Sequence, residues 1–134
     1  MNCLLDTAAV FALLVPSDEH HGEARRFVEE HRTLHYHTTT AVVSEAYTVL
    51  RRRRGYRVAM DWADGFRASA VVTIEFSDLR REQRAWAVLR RMPEVPLSYT
   101  DASLVALSEE LHMETIFTFD DDFRRAGLTI VPGP

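Results

Sequence analysis

The chain has 134 residues, of which 46% are hydrophobic, and a formal net charge of −4. This length and hydrophobic content suit one compact domain over residues 1–134, and they exclude the low hydrophobicity and high net charge of a disordered chain. No stretch approaches the roughly 20 apolar residues of a membrane span, and the N-terminus lacks the pattern of a signal peptide. We therefore expect a soluble, cytoplasmic protein with no membrane partner.

Cysteine and lysine usage excludes several kinds of chemistry. The single cysteine, Cys3, permits no intrachain disulfide and cannot by itself build a zinc site, which agrees with a reducing compartment. All sixteen basic residues are arginine. The absence of lysine excludes P-loop nucleotide binding, Schiff-base chemistry and lysine-assisted phosphate transfer. Because the net charge is negative, binding of nucleic acid would need a local basic patch or bound cations.

Strands and helices are predicted to alternate along the chain. In chain order, the predicted elements are a strand in 2–6, helices in 8–15 and 17–31, a strand in 33–38, helices in 39–54 and 57–70, a strand in 71–76, helices in 78–91 and 100–112, and strands in 115–119 and 128–131. Ser17 is expected to cap the second helix, and Gly55 to end the third. This alternation predicts a parallel sheet covered by helices on both faces.

Acidic residues mark the ends of several predicted elements. Asp6 ends the first strand, Asp120 ends the strand in 115–119, and Asp101 begins a helix. Ligand sites of parallel sheets lie outside the carboxyl ends of the strands, so Asp6 and Asp120 should share one crevice. Glu45 lies inside a helix, at the border of its buried stripe, from which a carboxylate can point into a cleft. Together these acids indicate a cation site.

Each acid also has a purely structural interpretation. Asp101 would complement the dipole at a helix N-terminus, and Glu45 would be an ordinary residue at the rim of the core. Asp120 would form a turn with its two acidic neighbours after the strand. Asp6 is the hardest to explain in this way, because it places a charge at the end of a buried strand.

Four acidic segments, in this order, resemble the blocks of the PIN-domain family, above all its VapC-type ribonuclease toxins of bacterial and archaeal toxin–antitoxin pairs. The segments are LLDTAAVFALL, TTTAVVSEAYTVLRR, LSYTDASLVALSEEL and IFTFDDDF. The similarity covers nearly the whole chain. It implies an α/β fold of three layers, in which a central parallel sheet of four to five strands has helices on both faces. The chain departs from the family's pattern at Ala8, where a serine is common, and in lacking lysine.

The resemblance implies a site and an activity as well. Carried over motif by motif, the metal-binding and catalytic acids are Asp6, Glu45, Asp101 and Asp120. The hydroxyls of Thr7 and Thr118 match supporting positions, and Asp122 falls where an additional acid would assist through water. Asp121 is expected to be a solvated turn residue. The implied protein is a metal-dependent endoribonuclease, the toxin of a toxin–antitoxin pair, whose products carry a 5′-phosphate and a 3′-hydroxyl.

The cofactor follows from the chemistry of the carboxylates. Two unit charges about 4 Å apart repel by roughly 4 kcal/mol at an effective dielectric of 20, so a cluster of four acids favours a bound cation. Oxygen ligands suit Mg²⁺ or Mn²⁺, which lower the pKa of a bound water, neutralise a phosphodiester and stabilise the leaving oxygen. We therefore expect Mg²⁺ or Mn²⁺ as the cofactor.

Arginines and apolar helices indicate the partners. Arg51, Arg52, Arg53 and Arg54 follow the Glu45 helix directly, and further arginines in 80–91 form a second basic face. They would contact the phosphates of an RNA substrate, or would simply be solvated helix ends. The apolar segments 7–15 and 59–66 would form a homodimer interface or a groove for a cognate antitoxin.

Several other functions compete with this hypothesis. A zinc site built on His35 and His37 is disfavoured by the single cysteine and by the absence of a helical HExxH motif. A receiver domain would need a lysine, a haloacid-dehalogenase-like phosphatase would need an aspartate in place of Ala8, and a Rossmann dehydrogenase would need a glycine-rich turn. Two alternatives stay open: a noncatalytic PIN-like interaction module, and a PIN nuclease of RNA processing that is not a toxin.

Overall fold

A computed structural model of the chain describes residues 1–133. Its elements, in chain order, are β1 (Asn2–Leu5), α1 (Thr7–Leu14), α2 (His21–Glu30), β2 (His35–Thr39), α3 (Thr40–Arg54), α4 (Tyr56–Arg67), β3 (Val72–Glu75), α5 (Leu79–Arg91), α6 (Tyr99–Leu111), β4 (Thr115–Phe117), α7 (Asp122–Arg125) and β5 (Thr129–Val131). Among these residues, no helix is both long and apolar enough to cross a membrane.

The five strands form one parallel sheet in the order β3-β2-β1-β4-β5. The central strand, β1, places Leu4 opposite Ile116 of β4 and Asn2 opposite His35 of β2. Helices cover both faces, which explains why β1 is an apolar run rather than an alternating pattern. The predicted α/β fold, with a parallel sheet of four to five strands between two helical layers, is confirmed.

The core lies in two layers, one on each side of the sheet. Side chains alternate along β1, so that Leu4 packs with α5 and α6 on one face while Cys3 and Leu5 pack with α1 and α2 on the other. Phe117 of β4 is fully buried in the second layer, where its ring lies 4.7 Å from that of Phe27. These two layers hold β1 and β4 rigidly side by side.

The strand order creates a crevice at the middle of the sheet. From β1 the chain moves outward through β2 to β3, then crosses over to β4 and β5 on the other side of β1. The connections that leave β1 and β4 therefore diverge, and such a switch point is where open α/β sheets bind ligands. Asp6 leaves β1 at this point, and its backbone N–H donates to the carbonyl of Phe117 at 3.1 Å.

Local signals explain where α3 begins and ends. The Thr39 hydroxyl accepts a hydrogen bond from the N–H of Val42 and caps the helix. Gly55 ends the helix with a φ of 91°, a left-handed conformation that favours glycine. The glycine stop agrees with the sequence prediction, and the cap and the stop together fix the register of Glu45 on this helix.

The prediction for the start of α2 was wrong. The helix begins at His21, and Ser17 lies in a turn rather than at its N-cap. The side chain of Asp18 accepts a hydrogen bond from the N–H of His20 at 2.8 Å, which stabilises a turn in place of a helical start. The short helix α7 was also not predicted, and β4 ends at Phe117 rather than at residue 119.

Candidate active site

Asp6 lies at the centre of the candidate site, between the end of β1 and the first turn of α1. Only 4% of its surface is exposed, although it carries a carboxylate. The hydroxyl of Thr118, which follows β4, donates to Asp6 Oδ2 at 2.7 Å. One strand of the sheet thus supplies the acid, and the neighbouring strand supplies the hydrogen bond that orients it.

Burial makes the charge of Asp6 costly. Loss of hydration and, to a smaller extent, the nearby carboxylate of Asp101 raise its pKa, which lies at about 7 instead of the ordinary 3.8. The Thr118 hydroxyl and the backbone N–H groups of Thr7 and Ala8 oppose this shift by interacting with the charged form. Without a bound cation, Asp6 is therefore only partly charged near neutral pH.

Asp120 is tied to the same hydroxyl as Asp6. Its N–H donates to Thr118 Oγ1 at 3.1 Å, and its own Oδ1 accepts from the N–H of Asp122 at 2.9 Å. Asp120 therefore forms a turn after β4, as the purely structural interpretation of this residue predicted. It also lies at the crevice. Asp121 points into solvent and pairs with Arg124 at 2.7 Å, in agreement with the expected solvated turn residue.

Asp101 lies in the first turn of α6, in a capping box with Ser98. The Ser98 hydroxyl accepts from the N–H of Asp101 at 3.0 Å, while Asp101 Oδ2 accepts from the N–H of Ser98 at 2.9 Å. Asp101 thus acts at the helix N-terminus, as the purely structural interpretation of this residue predicted. Its carboxylate also lies near other acids, because burial and then the charges of Asp120 and Glu45 raise its pKa.

Glu45 lies on the exposed side of α3, beside the buried Val42 and Ala46. Its charge and that of Asp120 act on Asp101, and the charge of Asp101 acts in turn on Asp6. Asp101 is therefore the common neighbour through which all four predicted acids interact. The structure brings together acids from the ends of β1 and β4 and from the helices α3 and α6.

The donor set suits a divalent cation that keeps part of its water shell. Within residues 1–133, no three His, Cys, Asp or Glu side chains lie close enough to share one ion directly. Mg²⁺ typically contacts one or two carboxylates and retains several waters, so further acids can act through those waters. The hydroxyl of Thr7 is buried beside Asp6 with no hydrogen-bond partner among the described residues, and a hydrated ion would provide one.

The other predicted residues lie at the margin of this cluster or away from it. Asp122 is half-buried at the start of α7, where its carboxylate lies 3.7 Å from Arg125. The predicted RNA-binding arginines, Arg51–Arg54, are exposed at the far end of α3. At 1.5 Å per residue they lie roughly 9 to 14 Å from Glu45 along the helix axis. They are separate from the carboxylates, and their contact with RNA stays a prediction.

Two contacts at the site were not foreseen from the sequence. Thr39 and Ser103 hydrogen-bond through their hydroxyls at 2.9 Å, joining the starts of α3 and α6. Ser98 forms the capping box with Asp101. The pattern of a serine followed three residues later by an acid was a visible signal for the capping box. No sequence spacing could reveal the Thr39–Ser103 bond, which joins residues 64 positions apart.

The fold and the site define a class of α/β protein in which acids lie near the switch point of a parallel sheet, and the family follows from the sequence. The PIN domain matches residues 3–128, so the chain belongs to the PIN-domain family. The chain is 33% identical to the 23S rRNA-specific endonuclease VapC20 of Mycobacterium tuberculosis over 127 residues, 95% of each chain. It is 29% identical to a VapC ribonuclease of Archaeoglobus fulgidus, covering 92% of this chain and 80% of that one.

Solved structures agree with this assignment. The crystal structure of M. tuberculosis VapC20, described as a sarcin–ricin loop cleaving toxin, superposes with a TM-score of 0.86 and 31% identity, covering 95% of this chain and 96% of that one. VapBC2 of Rickettsia felis, bound to a promoter DNA fragment, has a TM-score of 0.71 at 13% identity, with 97% of each chain covered, and supports the fold alone. The predicted membership of the VapC type is confirmed.

Proposed function

We propose that the chain is a metal-dependent endoribonuclease and the toxin of a toxin–antitoxin pair, acting as a single PIN domain over residues 1–134. The observation that carries this proposal is the enclosed carboxyl of Asp6 at the β1–β4 switch point, which the charge of Asp101 reaches, while the charges of Asp120 and Glu45 reach Asp101. The VapC ribonucleases that the chain resembles along nearly its whole length support the same function.

The carboxylates would hold Mg²⁺ or Mn²⁺. We assign Asp6, Asp101, Asp120 and Glu45 as its ligands, of which Asp6 is buried, Asp101 and Asp120 are half-buried, and Glu45 is exposed. When bound, the ion would supply positive charge that stabilises a phosphodiester under attack and makes a water more acidic. Thr118 would keep Asp6 in position through the 2.7 Å hydrogen bond described above.

The reaction would be hydrolysis of one phosphodiester bond. The oxygen of a water forms a bond to phosphorus, and the bond from phosphorus to the 3′-oxygen breaks. The water loses one proton and the 3′-oxygen gains one, leaving a 5′-phosphate and a 3′-hydroxyl. Asp120 and Glu45 would orient the attacking water, with Asp122 assisting through solvent.

Ribosomal RNA is the first substrate to test. A relative that is 33% identical is specific for 23S rRNA, and its solved structure is that of a toxin that cleaves the sarcin–ricin loop. We propose that the present chain likewise cuts a structured loop of a large RNA. Arg51–Arg54 carry no salt bridge to an acidic side chain among residues 1–133. They are therefore free to contact phosphates of the flanking RNA.

An apolar groove between α1, α4 and the edge strand β3 would take the antitoxin. Leu14, Trp62, Phe66 and Val72 line it, and the buried hydroxyl of Tyr36 beneath them has no hydrogen-bond partner within residues 1–133. An amphipathic helix of an antitoxin would cover the apolar side chains and could pair with this hydroxyl. The rival occupant is a second copy of the chain, which would make the groove a homodimer interface.

Cleavage of end-labelled RNA tests the function directly. Purified protein is incubated with a sarcin–ricin loop RNA and with total rRNA, in Mg²⁺, in Mn²⁺ and in EDTA, beside Asp6→Asn and the exposed control Asp121→Asn. We expect discrete cuts in metal that EDTA and Asp6→Asn abolish and that Asp121→Asn retains. RNA binding without any cut, unchanged by Asp6→Asn, would instead support the noncatalytic module. Cleavage in a host that remains unaffected by expression of the chain would support an RNA-processing nuclease.

A further inference from the structure

A second pocket, separate from the apolar groove, opens beside the carboxylates between α3, α5 and α6. We call it the α3–α6 pocket. Its deepest residues, Ala106 and Leu107, are buried and apolar, whereas Ser44 and Ser77 are exposed at its mouth. The ring of Tyr99, at the start of α6, also lines it. An apolar interior with a few polar groups at the entrance is the usual make-up of a site for a small planar group.

The charges in the α3–α6 pocket are already balanced. Arg81 donates twice to Glu110, from Nε at 3.2 Å and from Nη2 at 2.8 Å, and its Nη2 also reaches Glu75 at 3.3 Å. Arg84 lies 3.2 Å from the same Glu110. Two arginines therefore face two glutamates, and no cation is left over to attract a phosphate. The pocket suits an uncharged part of a ligand.

The α3–α6 pocket borders the residues proposed to cut RNA. On α3, its lining residue Ala41 lies one helical turn before Glu45, on the same side of the helix. Its lining residue Thr39 ends β2, the strand paired with β1, and Asp6 directly follows β1 at the same edge of the sheet. The hydrogen bond between Thr39 and Ser103 joins α3 and α6 at the pocket. A nucleotide next to a phosphate bound at the carboxylates would extend along this edge toward the pocket.

We propose that the α3–α6 pocket receives an unpaired nucleobase of the RNA, from a nucleotide adjacent to the scissile phosphate. This inference rests on the proposed ribonuclease function and adds a determinant of the cleavage site. Proteins that recognise single-stranded RNA stack bases on aromatic rings and hydrogen-bond their edges. Tyr99 supplies the ring, and the hydroxyl of the exposed Ser44 lies where it can meet a base edge, whereas the Ser77 hydroxyl is paired with Tyr99. The uncharged base matches the balanced charge of the pocket.

Filling the α3–α6 pocket with a larger side chain and removing the base from the RNA should lower kcat/KM to the same extent. Ser44→Leu places a larger side chain at the pocket mouth, whereas Thr48→Leu makes a similar change at an exposed position one turn further along α3, outside the pocket. The RNAs carry an abasic residue, in turn, at each of the three nucleotides on either side of the mapped cut. For wild type and Thr48→Leu, one abasic position should lower kcat/KM about tenfold, the size of one stacking contact.

Ser44→Leu should cut the intact RNA about tenfold more slowly than wild type. An abasic residue at the same position should not lower the kcat/KM of this variant any further. A Ser44→Leu variant that keeps the wild-type rate and the wild-type sensitivity to abasic RNA would overturn the inference. So would a change in its oligomeric state by light scattering, which would assign the pocket to a second copy of the chain. The same ratios are measured as RNA affinities in EDTA, with the abasic residue scanned through the whole RNA, so an absence of cutting by wild type would refute the proposed function while the pocket is still tested.

Discussion

Replacing Asp6 by asparagine should stabilise the metal-free protein at neutral and alkaline pH. The substitution keeps the shape of the side chain and an oxygen that can accept the hydrogen bond from Thr118, but it removes a charge from a residue that is 4% exposed. The pKa of Asp6 is raised to about 7, from an ordinary value of 3.8, chiefly by burial. A carboxyl group whose pKa is raised on folding stabilises the folded state in its protonated form.

The sign and size of this change in stability follow from the linkage between proton binding by Asp6 and the free energy of unfolding. The stabilisation is fully present below about pH 3.8 and is lost as the pH rises through about 7. Each pKa unit corresponds to about 1.4 kcal/mol, so a shift of about three units corresponds to about 4 kcal/mol lost by the wild type between pH 4 and pH 8. Asparagine does not titrate. Asp6→Asn should therefore match the wild type near pH 4 and exceed it by about 2–4 kcal/mol at pH 8.

Urea unfolding in EDTA, at several pH values from 4 to 8, measures this difference. Asp121→Asn is the matched control, because its side chain is 86% exposed and its removal should change stability by less than about 1 kcal/mol at every pH. Addition of Mg²⁺ should stabilise the wild type and leave Asp6→Asn nearly unchanged. The reasoning is refuted if Asp6→Asn is no more stable than the wild type at pH 8, or if its advantage fails to shrink toward pH 4.

Three further predictions concern hydrogen bonding, the backbone and charge. Thr118→Val should cost about 1–3 kcal/mol in urea unfolding and slow cleavage, because it leaves Asp6 without its hydroxyl partner. Gly55→Ala should lower the free energy of unfolding by about 1 kcal/mol or more, because φ is 91°, whereas Gly65→Ala, inside α4 with no atom within 4 Å of the new Cβ, should raise it by about 0.5–1 kcal/mol. Neutralising Arg51–Arg54 with glutamine should weaken RNA binding and flatten its dependence on salt concentration, and an unchanged slope would remove these arginines from the interface.

The fold was accessible from the sequence where local patterns agreed with tertiary packing. The apolar run before Asp6 and the helix that ends at Gly55 carried strong local signals, and the structure has both. The start of α2 was misplaced because Ser17 is a good cap in isolation, whereas the side chain of Asp18 stabilises a turn there. A four-residue helix such as α7 is too short to leave a periodic pattern.

The site was accessible only in part. The ends of strands and helices placed Asp6, Asp101 and Asp120 at one edge of the sheet, which follows from the geometry of parallel sheets. The contact between Thr118 and Asp6 joins residues 112 positions apart, and its geometry depends on the pairing of β1 with β4. The α3–α6 pocket could not be foreseen, because it arises where side chains of α3, α5 and α6 fail to fill the space between the helices.

The starts of α1, α3 and α6 meet at the same edge of the sheet, with Asp6, Thr39 and Ser98 at their N-caps. Each helix start carries roughly half a positive charge, so about one and a half positive charges oppose the four carboxylates. The crevice therefore binds a free cation more weakly than four carboxylates alone would, while the same helix starts attract a phosphate. Ion and RNA should accordingly assist each other's binding, so that the nuclease becomes fully loaded only when its substrate is present.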